Sequence, residues 1–586
     1  MSGNWKIHSS SLLGFILLSL VMTYPMGFDA HNYLLAEHLD TTAALYNFWW
    51  FYQALVEMHT SPWFNPLINY PEGYSMVFYP VYFVYGLLSI PFQAILGTPS
   101  GIPAFFNFIT VLSFILTGYF TFLLVRYLTF SSFGTAKNSA AFISGLIFAF
   151  TPFRFWNISR CHVTCTEFLV LAVYLYLLAV EQKKKRHGIG LGVALLLLVY
   201  SSPNYMIYLF IFILIHLGYL MTKDRGLVIS RDFLKQAVIA GIVFIPPFLP
   251  LAIAVLKQLL DPTVTFMPPL KEQVEYSGNL LGYIIPGSIQ TLYQPLIHLL
   301  PAVDPDLSRS HGVGGYEIFL GYSVIALAAV TLIRIRPPKV GLWAITGILF
   351  FILSLGPFLH VGKHDLFSVP LPLRWLSWFM PVFQVDRSPV RFVVMTELAL
   401  AVIVGMGMAS LSERFLQRWY RAFLAGFGLL VCLEFLQAPL SLSAVPIPEF
   451  HRGIADEPGE FSVLDLPMLP DIYRYSGTYQ TWHGKRLIID LTSRQTDRRF
   501  FKDPIFLYLG EPLRWDALSE GEKRETEAKL KAEIQRRRLR YIVIFTRFME
   551  SDNIELALRL IRRLGPEKEW KEGDIFIIFR FCVPKD

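Results

Sequence analysis

The feature that constrains this chain most is a series of long apolar runs, which recur from residue 10 to residue 438. A transmembrane helix needs about 20 predominantly apolar residues to cross a bilayer, and most of these runs approach or reach that length. Only 16% of the residues are charged, against about 25% in an ordinary soluble domain. The pattern therefore predicts a mainly α, polytopic membrane protein of the helical kind.

Eleven of the runs predict transmembrane helices. They cover residues 10–27, 104–125, 139–153, 163–181, 188–203, 204–221, 236–256, 313–333, 340–356, 390–410 and 420–438. A further run, 77–96, contains Pro80 and Pro91, and proline interrupts the hydrogen-bonded ladder of a helix. Broken helices occur in membranes mainly where they are buried in protein or line a cavity. We therefore expect this run to be re-entrant or interfacial.

The charges of the loops predict the orientation. With a cytoplasmic amino terminus and eleven crossings, basic clusters such as "KKKR" at 183–186 and "RIRPPK" at 334–339 lie inside, as the positive-inside rule requires. A full crossing by 77–96 would place them all outside. Since these basic residues report topology, we expect no nucleic-acid partner. This eleven-crossing topology places the carboxyl terminus and four loops outside: 28–103, 153–162, 257–312 and 357–389.

The composition changes after residue 440, where charged residues become frequent. Four segments predict strands, and two predict surface helices. The predicted strands are "FSVLDL" (461–466), "RLIIDL" (486–491), "RYIVIF" (540–545) and "DIFIIF" (574–579), and the predicted helices are 520–538 and 553–564. We therefore predict two domains, a transmembrane domain of residues 1–440 and a soluble extracytoplasmic α/β domain of residues 441–586.

The first outer loop contains an acidic residue, Asp40, which opens the aromatic segment "DTTAALYNFWWFY". Trp and Tyr favour the membrane interface, so a helix here would hold Asp40 at the edge of the bilayer. A carboxylate in that position suits a general base that acts on a lipid-borne substrate. The competing interpretation is an N-cap, because Asp is among the preferred capping residues. Asp29, in "FDAHN", is the second candidate.

Several basic residues lie at the outer ends of helices, against the preference of positive charge for the inner side. Arg154, Arg160 and His162 lie in the turn "TPFRFWNISRCH", and Arg387 and Arg391 lie in "DRSPVRF". Guanidinium groups match phosphate oxygens in a bidentate manner, although an arginine at a helix end also snorkels to the headgroups. Four such arginines near one acidic loop favour a shared anion site.

One carboxylate, Glu167, lies inside the apolar run 163–181. An ionisable residue within a membrane is costly and is therefore a candidate site residue, with Arg160 as the partner we expect. No cluster of His and Cys has the spacing of a zinc site, because the four cysteines include no CxxC pair.

The order of these segments resembles bacterial GT-C membrane glycosyltransferases. The resemblance consists of an anchor helix, an outer loop with Asp40 before a Trp-rich helix, "YPEGYS", a broken run, "TPFRFWNISRCH" and "RSPVRF". In that family an acidic residue of the first outer loop acts as a base or metal ligand, and basic residues hold the phosphate of a polyprenyl-phosphate sugar donor. Asp40 matches the acidic position best. The second outer turn has "RCH" where many members have acidic residues, so metal dependence is left open.

The resemblance implies an inverting glycosyltransferase of the bacterial plasma membrane. Asp40, with Asp29 as the second choice, would be catalytic, while Arg154, Arg160, His162, Glu167, Arg387 and Arg391 would bind substrate. The expected partners are the lipid-linked donor, membrane lipids and a glycan, lipid or protein acceptor. No cofactor is certain, and a divalent cation stays open. A flippase for a lipid-linked sugar and a non-catalytic scaffold of an envelope assembly are the alternatives.

Overall fold

The computed structural model describes residues 2–582 with several gaps, which are 30–39, 78–81, 130–135, 224, 229, 262–263, 266–269, 288–289, 294, 296–316, 363, 380–385, 413–416, 444–446, 490–495 and 498–502. The prediction of a mainly α fold is confirmed. The helices before residue 435 are α1 (Ser2–Met22), α2 (Asp40–Tyr52), α3 (Phe83–Leu96), α4 (Thr98–Leu128), α5 (Ala136–Ala149), α6 (Pro152–Trp156), α7 (Cys161–Thr164), α8 (Thr166–Gln182), α9 (Lys185–Ser201), α10 (Pro203–Lys223), α11 (Arg225–Val228), α12 (Arg231–Leu259), α13 (Leu270–Glu275), α14 (Tyr322–Val330), α15 (Val340–Ser354), α16 (Pro372–Phe379), α17 (Val393–Leu411) and α18 (Gln417–Glu434).

Each of the eleven predicted spans overlaps a helix, although for the span 313–333 the helix begins at Tyr322 and residues 313–316 lie outside the described residues. In the described part of the chain, seven helical segments are long and apolar enough to cross a membrane, namely 5–22, 100–128, 137–156, 161–182, 203–223, 231–259 and 389–411. Shorter apolar helices cover Tyr322–Ile335 and Val340–Ser354. The remaining two predicted spans correspond to α9 and α18.

The spanning helices surround α17. The apolar window of its segment, 389–411, is 94% buried, whereas that of 231–259 is 11% buried. The segment 389–411 therefore forms the centre of the helical part, and α12 lies at its periphery. This peripheral helix contains three prolines, at positions 246, 247 and 250.

In the run 77–96, the described helix α3 has 14 residues and contains Pro91; Pro80 lies outside the described residues. The length of α3 is about 21 Å at 1.5 Å per residue, less than the hydrocarbon core of a bilayer. Gln93 Nε2 donates to the Phe48 carbonyl at 2.8 Å, and Gly86 lies so close to the Phe51 ring that a Cβ would come within 2.5 Å of it. The helix thus packs tightly on α2.

Ion pairs join the four loops predicted to lie outside two by two. Asp40 of the first pairs with Arg160 of the second, and Glu272 of the third pairs with Arg387 of the fourth. Two further contacts join segments predicted to lie inside: Lys339 pairs with Glu181, and Arg126 reaches His8 near the amino terminus. The side of the membrane on which each set of loops lies stays a prediction.

The part after residue 447 contains a five-stranded mixed sheet. Its order is β10-β11-β9-β6-β7, with β6 parallel to both of its neighbours and the other pairs antiparallel. The strands are β6 (Ser462–Leu466), β7 (Arg486–Leu487), β9 (Leu539–Phe545), β10 (Lys568–Glu572) and β11 (Phe576–Arg580), and the helices are α19 (Glu449–Gly453), α20 (Pro470–His483), α21 (Pro512–Asp516), α22 (Glu520–Arg536) and α23 (Ser551–Leu564).

The predicted strands and helices of this part overlap observed elements. The strand β7 is short, and residues 490–491 of its predicted range lie outside the described residues. The helices α19, α20 and α21 and the strand β10 were not predicted. Shorter pairings join the loops: β1 (Phe64–Asn65) with β2 (Tyr74–Ser75), β3 (Val264–Thr265) with β8 (Thr496–Asp497), and β4 (Phe358–Val361) with β5 (His364–Pro370).

The two faces of the sheet belong to different cores. Val463 and Val543 join the large apolar cluster that continues into the membrane helices. Leu464 and Ile542, on the other face, form a separate cluster with residues of α22 and α23. The α/β part is therefore packed against the helical part through one face of its sheet.

Candidate active site

Asp40 is the first residue of α2, and its carboxylate is paired with Arg160 from the turn before α7. Arg160 Nε donates to Asp40 Oδ2 at 2.6 Å, and its Nη1 donates to Asn157 Oδ1 at 3.1 Å. The side chains are 28% and 11% exposed for Asp40 and Arg160. The pair joins two outer loops that are 120 residues apart, and it keeps contact with the surface.

The turn that carries Arg160 is built from two short helices. Pro152 occupies the first turn of α6, where its missing N–H costs no hydrogen bond. His162 lies in α7, and its Nδ1 is 3.3 Å from the Tyr82 hydroxyl. The predicted site residues Asp40, Arg160 and His162 are therefore held by adjoining segments.

Arg154, from the same turn, lies in the interior. Its Nη1 donates to the Ala149 carbonyl at 2.5 Å, and its Nη2 donates to Ser113 Oγ and to the Thr164 carbonyl, both at 2.9 Å. Its guanidinium lies 4.3 Å above the centre of the Phe114 ring. These contacts occupy both terminal nitrogens of Arg154 within the protein.

Glu167 belongs to this interior network. It does not pair with Arg160, although the sequence led us to expect that pair. Its carboxylate accepts from the Tyr85 hydroxyl at 2.5 Å and from Ser113 Oγ at 2.7 Å. Ser113 therefore connects Glu167 to Arg154. The burial of Glu167 explains the difference, because it is 1% exposed and lies on the side of α8 that packs against other helices.

Arg387 and Arg391 lie where the fourth outer loop enters α17. Arg387 Nε is 2.7 Å from Glu272 Oε2, and its guanidinium is 5.9 Å from the centre of the Tyr276 ring. Arg391 is 7% exposed. The preceding Asp386 accepts from the Tyr208 hydroxyl at 2.9 Å.

Tyr205 of α10 contacts the turn that carries Arg154 and Arg160, because its hydroxyl donates to the Val163 carbonyl. Asp29, the second candidate, is joined to α4, because its carbonyl accepts from Asn107 Nδ2 at 2.6 Å.

Sequence reasoning missed one buried carboxylate, Glu397. It lies in α17, is 3% exposed, and accepts from the Thr151 hydroxyl at 2.9 Å. The signal that identified Glu167, a carboxylate inside an apolar run, is also present in the run 390–410 and would have found it. The partners Tyr85 and Ser113 had no comparable signal.

The described residues contain no group of three or more His, Cys, Asp or Glu side chains that could hold a metal ion. Arg160 Nε occupies Asp40 Oδ2, and a guanidinium in that place competes with a divalent cation for the carboxylate.

Solved structures share the fold of this chain. The oligosaccharyltransferase of Archaeoglobus fulgidus in its apo form is 14% identical and has a TM-score of 0.51 over 92% of this chain and 69% of that one. The same enzyme, AglB, in complex with an inhibitory peptide and a dolichol-phosphate is 14% identical, with a TM-score of 0.51 over 99% and 74% of the two chains. These similarities confirm the predicted GT-C fold.

ArnT from Cupriavidus metallidurans, bound to undecaprenyl phosphate, is 11% identical and covers 97% of each chain with a TM-score of 0.48. No curated protein matches the sequence significantly. Residues 12–438 match the family model described as "Domain of unknown function (DUF6311)", and the chain belongs to that family.

Proposed function

We propose that this protein is an integral membrane glycosyltransferase, which transfers a sugar from a polyprenyl-phosphate donor to an acceptor on the outer side of the membrane. The observation that carries the proposal is the Asp40–Arg160 pair, 2.6 Å long and partly exposed, between two of the predicted outer loops. A carboxylate beside a cation at the edge of the bilayer combines a base with an anion-binding group. The GT-C fold supports the same activity, and the dolichol-phosphate bound by the archaeal enzyme supports the donor class.

In the reaction, Asp40 accepts the proton of an acceptor hydroxyl as its oxygen attacks the anomeric carbon of the sugar. The bond between that carbon and the phosphate oxygen breaks, and polyprenyl phosphate leaves with the electron pair. A single displacement inverts the configuration at the anomeric carbon. Proton transfer by a positioned side chain accelerates such a step by about 10²–10⁴-fold.

The guanidinium groups stabilise the negative charge that develops on the leaving phosphate. Arg160 is next to the base and partly exposed, and we assign it to the phosphate together with Arg387 and Arg391. Such preorganised cations act most strongly where water is excluded. His162, beside Arg160, is assigned to substrate binding.

Arg154 and Glu167 have a supporting role in this proposal. Both terminal nitrogens of Arg154 already donate to protein acceptors, and Glu167 is held by two hydroxyl groups. Their network fixes the turn from which Arg160 projects.

We also propose that the amino terminus is cytoplasmic and that the α/β part lies outside, in a bacterial plasma membrane, as the loop charges indicate. Cys582 is exposed on the α/β part, whereas Cys161 and Cys165 are buried. An impermeant thiol reagent should label Cys582 in intact spheroplasts. Lys184→Cys in a Cys582→Ser background should not be labelled, and labelling of that variant would reverse the topology.

The activity is tested with purified full-length protein in liposomes. The donors are synthetic undecaprenyl-phosphate hexoses and pentoses, and a solubilised bacterial envelope fraction supplies acceptors. A glycosyltransferase releases undecaprenyl phosphate, whereas a flippase only moves the donor across the bilayer and a scaffold does neither. Release above that of protein-free liposomes is expected. Its absence with every donor would overturn the proposal.

A further inference from the structure

The first outer loop, which carries Asp40, lies directly on the α/β part. Leu487 N donates to the Leu67 carbonyl at 2.8 Å, and Tyr70 N donates to the Leu487 carbonyl at 3.1 Å. Gln480 Nε2 of α20 also donates to the Leu67 carbonyl, at 3.0 Å. Since β7 is the edge strand of the sheet, the loop extends the sheet by strand-like pairing.

A buried arginine, Arg537, fastens the same loop. It is 1% exposed, and its Nη1 donates to the Tyr70 carbonyl at 3.0 Å and lies 3.6 Å from the Glu72 carboxylate. On the side of the α/β part it is paired with Asp503 and, at 3.1 Å, with Glu533. A buried charge is tolerated only when it is paired and hydrogen-bonded, and here two of the groups that satisfy it belong to the loop.

Residues 62–65 of the loop are hydrogen-bonded to α2. Asn65 Nδ2 donates to the Tyr46 hydroxyl at 2.8 Å, and Trp50 Nε1 donates to the Pro62 carbonyl at 2.9 Å. Asn65, Tyr46 and Trp50 are fully buried. In addition, α20 packs directly against α2. A continuous chain of contacts therefore runs from Arg537 through residues 62–72 to the helix that begins with Asp40.

We propose that the carboxyl-terminal α/β part positions the Asp40 helix, with Arg537 as the positioning residue. This inference rests on the proposed glycosyltransferase activity for its catalytic consequence. The α/β part thereby forms a wall of the active site, since a displacement of α2 moves the base relative to Arg160 in the neighbouring turn. A base displaced by about 1 Å loses rate by up to 10²-fold, because proton transfer requires hydrogen-bond distance.

The test compares Arg537→Met with Arg536→Met in the full-length protein in nanodiscs. Arg536 is the matched control, because it pairs with the same Glu72 at 2.8 Å but is 45% exposed. In Arg537→Met, amide hydrogen exchange of residues 61–76 and 40–52 should become about 10-fold faster. In Arg536→Met it should change less than about 2-fold. Equal exchange of residues 40–52 in the wild type and a folded Arg537→Met variant would overturn the proposal.

Turnover provides the second measurement, with the undecaprenyl-phosphate sugars as probes. Arg537→Met should lower kcat by about 10-fold and change KM less than about 2-fold, because the helix with the base moves while the phosphate-binding arginines stay. Arg537→Lys keeps the charge without the bidentate fork and should recover an intermediate kcat. If wild-type protein shows no turnover, the proposed activity fails, and the exchange measurement still decides whether Arg537 holds α2.

A second variant covers the case in which Arg537→Met unfolds the α/β part. Tyr46→Phe removes only the hydroxyl that accepts from Asn65, and it leaves the α/β part untouched. We expect kcat to fall about 3-fold at constant KM, with unchanged amide protection of residues 503–582. An unchanged kcat in this variant would contradict the contact chain.

Discussion

Arg154 and Arg160 lie six residues apart in one turn, yet their surroundings differ. Arg154 is fully buried, and its terminal nitrogens donate to Ala149, Ser113 and Thr164. Arg160 keeps an 11% exposed side chain and pairs with a carboxylate that is itself 28% exposed. The comparison teaches that two arginines of one motif can differ in exposure and partners according to which acceptors the fold supplies, and only the more exposed one keeps a surface for a ligand.

The carboxylates show the same division. Glu167 accepts two hydroxyl hydrogen bonds in the interior, whereas Asp40 lies at the surface end of α2 beside one guanidinium. A group whose partners are all internal contributes to stability. A group that keeps an accessible side contributes to chemistry, and variants of the two classes should separate in measurements of stability and turnover.

The largest expected effect is that of Asp40→Asn on turnover. The amide keeps the size of the side chain and still caps a helix, but it cannot take up a proton. Turnover should fall by about 10²–10⁴-fold, while donor binding and the Tm stay near those of the wild type. The measurement is release of undecaprenyl phosphate, with binding followed separately.

Asp29→Asn is the control for Asp40→Asn, because Asp29 lies in the same predicted loop and carries the same charge. It should keep most of the activity. Equal and mild losses in both variants would remove Asp40 from the mechanism and favour a scaffold.

Arg154→Met should give the largest loss of stability. The variant leaves Glu167, Ser113 and two carbonyls without their cation in the interior. Breaking one partner of a buried charge network costs about 3–5 kcal/mol, so the yield of folded protein and its Tm in detergent should drop. Arg160→Met is the matched comparison and should keep its Tm within about 2 °C, since exposed pairs contribute little. Similar Tm losses in both variants would contradict the prediction that the buried Arg154 contributes more to stability than Arg160.

Arg160→Lys should have a smaller effect, on turnover alone. Lysine keeps the positive charge but lacks the planar fork that bridges Asp40 and Asn157. We expect turnover to fall by about 10-fold without a change in Tm. Arg387→Lys in the same assay shows whether the second arginine site has a comparable share. Full activity of Arg160→Lys would show that charge without geometry is sufficient at this position.

Much of the fold could be predicted because apolar length and proline positions act locally. All eleven predicted spans overlap helices, and residues 83–96 of the proline-containing run form a short helix. Among the elements that were missed, α20 and β10 have sequences without a helix or strand pattern. The first contains Gly477 and three tyrosines, and the second reads "KEWKE"; both are stabilised by packing and pairing rather than by their own pattern.

The candidate site residues could be named from the sequence, but their pairings could not. Asp40 and Arg160 were both candidates, yet their contact crosses 120 residues of sequence, and no local signal encodes it. The same applies to Glu167, which pairs with Tyr85 and Ser113 from two other helices. Assigning partners to buried charges requires knowledge of which helices are neighbours.

The smallest expected effect concerns Asp465, a buried carboxylate of β6 that has no cation beside it. It is fully buried, and among the described residues neither of its oxygens accepts a hydrogen bond of good geometry. Burial raises the pKa of Asp465 from its usual 3.8 to about 7, with the nearby Ser476 hydroxyl opposing the shift. It therefore extends the comparison to a carboxylate without the interior partners that Glu167 has.

A raised pKa means that the folded state holds the proton more tightly than the unfolded state. The stability contributed by protonated Asp465 is complete below pH 3.8 and is lost as the pH rises towards 7. Asp465→Asn removes this loss, so it should raise the Tm of the α/β part by about 5 °C at pH 8 and by clearly less at pH 5. Asp516→Asn, at a side chain that is 41% exposed, should shift the Tm little at either pH. A gain for Asp465→Asn that does not depend on pH would show that the carboxylate keeps one protonation state throughout this range, and it would contradict a titration of Asp465 near pH 7.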